Sequence, residues 1–140
     1  MKRQLLSIAM LVLTGLTVAA CAGSKDIQLT SSGDIPAATS IVKLGTNDNG
    51  NTTFDLKVEH LALPERVDAG ATVYVVWMRG RDANANIQNM GALIVDDNLN
   101  GSFSGVTPLK DFELFVTAEP TLTNTAPTGK ALLYSTLSAN

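Results

Sequence analysis

The 140-residue chain carries 10 basic and 13 acidic residues, a formal net charge of −3, with one cysteine and one histidine. An acidic balance excludes nucleic acid as a partner, because phosphate binding calls for a basic stripe. A single cysteine excludes an intramolecular disulfide and a cysteine-based metal cluster, and the single histidine comes without the partners that a metal cluster or a triad would need.

The chain opens with a positive head, Met1-Lys2-Arg3, followed by Leu5 to Leu16, apolar except for Ser7, Thr14 and Gly15. This is the layout of a secretory signal peptide. A membrane-spanning helix needs about 20 mainly apolar residues, and the run barely reaches that length before Ala22-Gly23-Ser24-Lys25-Asp26. Val18-Ala19-Ala20-Cys21 resembles the lipobox of bacterial lipoprotein precursors. The resemblance implies cleavage after Ala20, a diacylglyceryl group on the Cys21 sulfur and acylation, such as with palmitate, of the new amino terminus. Each buried methylene contributes about 0.8 kcal/mol and one chain alone holds marginally, so stable anchoring takes two or more. With its only thiol lipidated, the chain has no cysteine nucleophile. Ala22 resembles the residue that follows the cysteine in lipoproteins sorted to the outer membrane, where an aspartate would suggest inner-membrane retention. The expected location is the cell envelope, on the outer membrane facing the periplasm or the surface where the bacterium has two membranes.

Loss of residues 1–20 removes Lys2 and Arg3, leaving eight basic against thirteen acidic residues and a formal charge of −5. The folded part is therefore not expected to adhere electrostatically to anionic lipid. Residues 21–39 read as the lipidated cysteine and a flexible tether, with Ser31-Ser32-Gly33-Asp34 and Pro36 as breakers. Such a segment spans roughly 20 to 25 Å and leaves the domain's orientation open. Ile27-Gln28-Leu29-Thr30 alternates and reads alternatively as a short first strand.

Residues 40–140 form the expected domain, of a size common for one hydrophobic core. Ser40 to Leu44 opens it, and Asn47-Asp48-Asn49-Gly50-Asn51 suits a hairpin reversal. Thr52 to Leu61 follows, with Phe54, Leu56 and Val58 on one side and Thr53, Asp55, Lys57 and Glu59 on the other. Leu63 to Gly70 reads as a connection across an end of the fold. Thr72 to Arg79 is then apolar on both faces, and further runs appear at Gly91 to Asp96, Gly101 to Val106, Phe112 to Ala118 and Ala131 to Leu137. About seven short strands without disulfides predict an all-β fold, an antiparallel β-sandwich of immunoglobulin-like size, with a small barrel as the alternative. Trp77, Phe54, Phe112 and Phe115 are the expected core, at roughly 1.5 to 3 kcal/mol for each large apolar side chain fully buried.

Tyr74-Val75-Val76-Trp77, Gly91-Ala92-Leu93-Ile94-Val95-Asp96, Gly101-Ser102-Phe103, Val116-Thr117-Ala118-Glu119-Pro120, Pro127-Thr128-Gly129 and Leu132-Leu133 follow in an order that resembles the extracytoplasmic C-terminal domain of anti-sigma-K factors. The likeness runs from about Thr72 to Leu137 and implies a β-sandwich outside the cytoplasm. Such factors place a cytoplasmic zinc-associated domain and a membrane helix before this module. Here a lipidated cysteine is expected in their place, so sigma-factor regulation is not expected of this chain and no catalytic residue carries over.

Candidate sites are few. Arg79 and Arg81, at the end of the Trp77 strand, are candidates for clamping an anionic ligand or carboxylate through paired hydrogen bonds. Tyr74 and Trp77, on the two faces of that strand, are candidates for partner contact, since exposed apolar patches mark partner surfaces. A loop across Asp82 to Met90 is the expected cover for the outer face. Asp96, Asn98 and Asn100, with Gly101, match the start of an EF-hand calcium loop, yet the twelfth position is Thr107 rather than a bidentate glutamate. A plain hairpin turn is the expectation there, with no metal or other cofactor. His60 is expected at a strand end on the side of Phe54, partly covered and hydrogen-bonded. Neither a Gly-x-Ser-x-Gly elbow nor a Ser-x-x-Lys pattern is present. The expected function is thus a non-enzymatic, lipid-anchored module for contact with another envelope protein or for envelope structure; the alternative is a sensor domain that binds a small ligand or calcium.

Overall fold

The computed structural model describes residues 24–82 and 84–140. The leader and Cys21 lie outside the described residues. Among these, nine strands run in chain order with one short helix: β1 (Lys25–Gln28), β2 (Thr30–Ser31), β3 (Thr39–Thr46), β4 (Thr52–Glu59), α1 (Pro64–Val67), β5 (Val73–Gly80), β6 (Ile87–Val95), β7 (Gly101–Thr107), β8 (Asp111–Glu119) and β9 (Leu133–Ser138). They form one antiparallel sheet in the order β1-β3-β4-β7-β6-β5-β8-β9-β2. No described helix is long and apolar enough to cross a membrane.

The two outermost strands of that order, β1 and β2, are consecutive in the chain and separated only by Leu29. Lys25–Gln28 pairs with Ile41–Leu44 of β3, whereas Thr30 and Ser31 pair with Tyr134 and Leu133 of β9. One extended segment thus joins the two edges and brings the sheet close to a barrel. Lys25–Gln28 and Thr30–Ser31 are strand rather than tether, in line with the alternative reading of Ile27 to Thr30, and Leu29, Ile35 and Ala38 are buried in the core. Two strands are added to the seven expected, which correspond to β3 through β9.

Strand β6 makes the other change of partner. Its residues up to Leu93 pair with β5, but Ile94 and Val95 pair with β7. The register shifts opposite Val76 and Trp77, and Gly91 stands at φ 130°, a left-handed conformation open to glycine. A bulge bends its strand and increases the local twist, which carries β6 from one side of the sheet to the other.

Alternation decides what each strand buries. Strands β3 and β4 show strict in-out patterns, with Val42, Leu44, Phe54, Leu56 and Val58 inside and Lys43, Asp55 and Lys57 outside. These inner residues meet Tyr74, Val76 and Met78 of β5 and Phe112, Leu114 and Val116 of β8 in one core. Phe54 lies at its centre, 5.7 Å from the Phe112 ring and 6.1 Å from that of Phe103. Its register partner on β7 is Gly105. A Cβ there would meet three Phe54 ring carbons at 3.0 Å or less, so the missing side chain is the space the ring occupies.

Gly105→Ala is therefore expected to lower stability by about 2 kcal/mol, because overpacking a filled core forces side chains off their rotamers. Gly33, with nothing within 4 Å of an added Cβ, serves as the control, and Gly33→Ala should stay within about 0.5 kcal/mol of the parent. Urea unfolding of the three proteins measures both.

Candidate functional site

Strand β5 has buried residues on both faces from Tyr74 to Met78, and the two faces meet different surroundings. Tyr74, Val76 and Met78 point into the core. Val75 and Trp77, each fully buried, point the other way, beside Phe115 and Thr117 of β8 by register. The chain between β8 and β9 folds over this outer face. Asn89, opposite Trp77, donates from Nδ2 to the carbonyls of Leu122 at 2.8 Å and Asn124 at 2.9 Å. The cover is thus the 120–132 connection and not Asp82 to Met90; the latter range instead leads from β5 into β6 and includes the first four residues of β6.

Glu119, with no solvent exposure, holds this cover. Its carboxylate accepts from the Thr117 hydroxyl, from the amide nitrogens of Thr128 at 2.9 Å and Gly129 at 3.2 Å, from Asn124 Nδ2 at 2.8 Å and from the Thr128 hydroxyl. Thr117 Oγ1 in turn accepts from Trp77 Nε1 at 2.8 Å. The chain passes so close to β8 that a Cβ on Gly129 would lie 2.6 Å from the Ala118 carbonyl oxygen. Burial pushes the Glu119 pKa up, but the Thr117 and Thr128 hydroxyls and the Gly129 and Thr128 amides outweigh it and bring it down to about 2. A carboxylate so saturated with donors has no proton to give at neutral pH and little basicity to offer, so its chemistry is structural.

The expected contact residues do not share a surface. Tyr74 and Trp77, exposed by 1% and 0%, do not reach one. Tyr74 donates its hydroxyl to the Ala62 carbonyl at 2.7 Å, and burial, with the nearby Glu65 charge, pushes its pKa up to about 12. Arg79 forms an ion pair with Glu113, its cross-strand neighbour on β8. Arg81 lies exposed in the bend beyond β5, outside that ion pair. Arg79 and Glu113 instead border a groove of about 330 Å³ with Phe115, Tyr134, Ser135 and Thr136. Phe115, expected in the core, faces this groove half-buried because its parity on β8 is that of Thr117, not of Leu114.

Asp96, Asn98 and Asn100 do come together, as a hairpin turn between β6 and β7. Asp96 Oδ1 accepts from the backbone nitrogens of Asn98 and Asn100, each at 2.9 Å, and Leu99 stands at φ 61°. Asn47 builds the same turn between β3 and β4, accepting from Asn49 and Asn51 at 3.1 and 3.0 Å, with Gly50 at φ 76° in the place of Leu99. No group of three His, Cys, Asp or Glu side chains among the described residues stands close enough to hold a metal ion. His60 lies exposed at φ 57°, since the left-handed turn directly after β4 takes it out of the strand's alternation.

Sequence reasoning missed the role of Glu119. Its signal was a charged residue at the close of the β8 run, in phase with Thr117, with Pro127-Thr128-Gly129 beginning eight residues further on. No family model, no curated protein sequence and no solved structure matches this chain.

The Glu119 geometry has a pH signature. A carboxylate whose pKa falls from 4.5 unfolded to about 2 folded stabilises the protein fully above 4.5, and that contribution disappears as pH drops from 4.5 toward 2. At about 1.4 kcal/mol per unit, the contribution is about 3 kcal/mol. Glu119→Gln, which sets an amide NH2 among donors, should lose about that much at pH 7 and flatten the stability profile below pH 4.5, as measured by denaturant midpoints across the acid range.

Proposed function

We propose that the protein is a lipid-anchored module of the bacterial cell envelope, attached through Cys21, with a role in contact with another envelope protein or in envelope structure rather than in catalysis. The observation that carries this reading is the lipobox-like Val18-Ala19-Ala20-Cys21 behind an apolar, positively headed leader, followed almost at once by an all-β domain. We also read the fold as a flattened barrel, a β-sandwich of immunoglobulin-like size whose two layers are joined by β6 and by the β1–β2 segment.

The resemblance to the extracytoplasmic domain of anti-sigma-K factors falls, in this chain, on residues that fold together. Trp77, Thr117, Glu119, Thr128 and Gly129 all belong to the residues that carry the resemblance, and all five meet in the Glu119 network. They serve to fold the cover over β5, so what the resemblance supports is a domain type. The job of anti-sigma-K factors does not follow from it.

The anchor is tested by Cys21→Ser in a bacterial host. The parent should label with a palmitate tracer, sediment with membranes and lack residues 1–20; the variant should take up no tracer and keep its leader. Equal labelling of the two proteins would remove Cys21 from the mechanism.

A second reading, a sensor that binds a small ligand or calcium, draws on the groove at Arg79, Glu113 and Tyr134 and on the oxygen-rich Asp96 turn. Isothermal titration with calcium addresses the metal: the expected result is no heat at millimolar concentrations, because Asp96 Oδ1 is already engaged by two backbone amides.

A further inference from the structure

Three residues, Ala22, Gly23 and Ser24, separate Cys21 from the first strand. Fully extended, the chain from Cys21 to Lys25 reaches at most about 14 Å. The tether expected from composition was longer and left the domain free to turn; the observed start of β1 removes that freedom. The position of Lys25 then decides which end of the barrel lies nearest to the anchor.

Strand register identifies that end. Lys25 pairs with Leu44, near the close of β3, and Ser24 and Lys25 share a groove with Thr46, Ala139 and Asn140. The Asn47–Asn51 turn follows β3 directly, and Lys110, from the β7–β8 connection, donates from Nζ to the Gly50 carbonyl at 2.6 Å. The β5–β6 connection with Arg81 lies at the same end, since Gly80 pairs with Phe112 at the start of β8. The Asp96–Asn100 turn, the α1 connection and the Glu119 cover lie at the other end. Strands of eight residues at about 3.3 Å each set the two ends roughly 26 Å apart, well beyond the Debye length of about 8 Å at physiological salt.

Charge is divided along the same axis. The Lys25 end carries Lys25, Lys43, Arg81 and Lys110 against Asp26, Asp48, Asp82 and Asp111. The far end carries Asp34, Glu59, Glu65, Asp68, Asp96 and Asp97 at its surface against Arg66 and Lys130. The near end is balanced and the far end is acidic, so an anionic bilayer repels the far end while tolerating the near one.

We infer that the anchored protein stands on its membrane in one orientation, with the Asn47–Asn51 turn and the Lys110 connection at the lipid headgroups and the acidic Asp96 end directed away. This rests on lipidation of Cys21. The surface concerned is an end of the barrel, and its partner is the headgroup layer of the membrane that holds the anchor.

The two matching turns supply the test. Asn49 and Asn98 hold the same position in their turns and are both exposed, and the lipidated parent has no free thiol. Full-length Asn49→Cys and Asn98→Cys variants, purified with their lipid, are labelled with a thiol-reactive fluorophore. Each is placed in vesicles of phosphatidylcholine and phosphatidylglycerol that carry a headgroup-attached quencher. The label on the Asn49→Cys protein should be quenched several-fold more strongly than that on the Asn98→Cys protein, and a long Gly/Ser spacer inserted after Gly23 should bring the two values together. Equal quenching without the spacer, or stronger quenching at position 98, in protein whose N-terminal peptide carries the mass of the lipid, overturns the orientation alone. An N-terminal peptide without lipid overturns the anchor, and the orientation with it.

Discussion

A buried carboxylate without hydrogen-bond donors would cost several kcal/mol or would take up a proton, and the whole outer layer over β5 is arranged so that Glu119 does neither. Its donors come from two places: Thr117 on its own strand, and Asn124, Thr128 and Gly129 on the connection that returns to β9. Meeting that demand draws the connection down over Val75 and Trp77, which lets β5 be apolar on both faces. The same contact sets Gly129 against the backbone of Ala118 and leads the chain into β9, where Leu132 N donates to the Val116 carbonyl. One polar requirement thus explains an apolar strand, a glycine and the path of a connection.

Much of the barrel was legible because period-two alternation and turn chemistry are local. Strands β3 and β4 needed nothing beyond Val42, Leu44, Phe54, Leu56 and Val58 and the Asn47–Asn51 turn between them. The closing segment was not legible in the same way. Ile27 and Leu29 hint at a short strand, but Lys25 to Ser31 has too few apolar residues to separate a strand from a tether, and it derives its order from pairing with β3 on one side and β9 on the other, partners 13 to 19 and more than 100 residues away. The cover over Trp77 failed for a related reason. Choosing between Asp82–Met90 and the 120–132 connection depends on which loop can supply donors to Glu119, and that is a property of the folded arrangement.

The Asp96 loop shows how one sequence pattern serves two kinds of chemistry. A calcium loop wants side-chain oxygens at its first, third and fifth positions. A hairpin closed by an Asx side chain wants the oxygen only at the first, and takes backbone N–H groups from the third and fifth. Asn47 shows that the turn forms with a neutral amide at the first position, so no charge is required for it. What distinguishes the two turns is the fourth residue, where Gly50 adopts its left-handed φ freely and Leu99 does so against a steric preference of about 1 to 2 kcal/mol. The Leu99 carbonyl accepts from Leu61 N at 2.9 Å, which ties that turn to the end of β4 and helps to hold the unfavourable conformation.

For function, the distribution of polar groups matters more than their number. The most desolvated acid is occupied in folding, the Arg79 guanidinium is occupied by Glu113, and the charges on the connections are divided unequally between the two ends of the barrel. A domain attached by a long tether would average over such an asymmetry, because any face could meet the membrane. With only Ala22, Gly23 and Ser24 between Cys21 and β1, lipidation would convert the asymmetry into a direction.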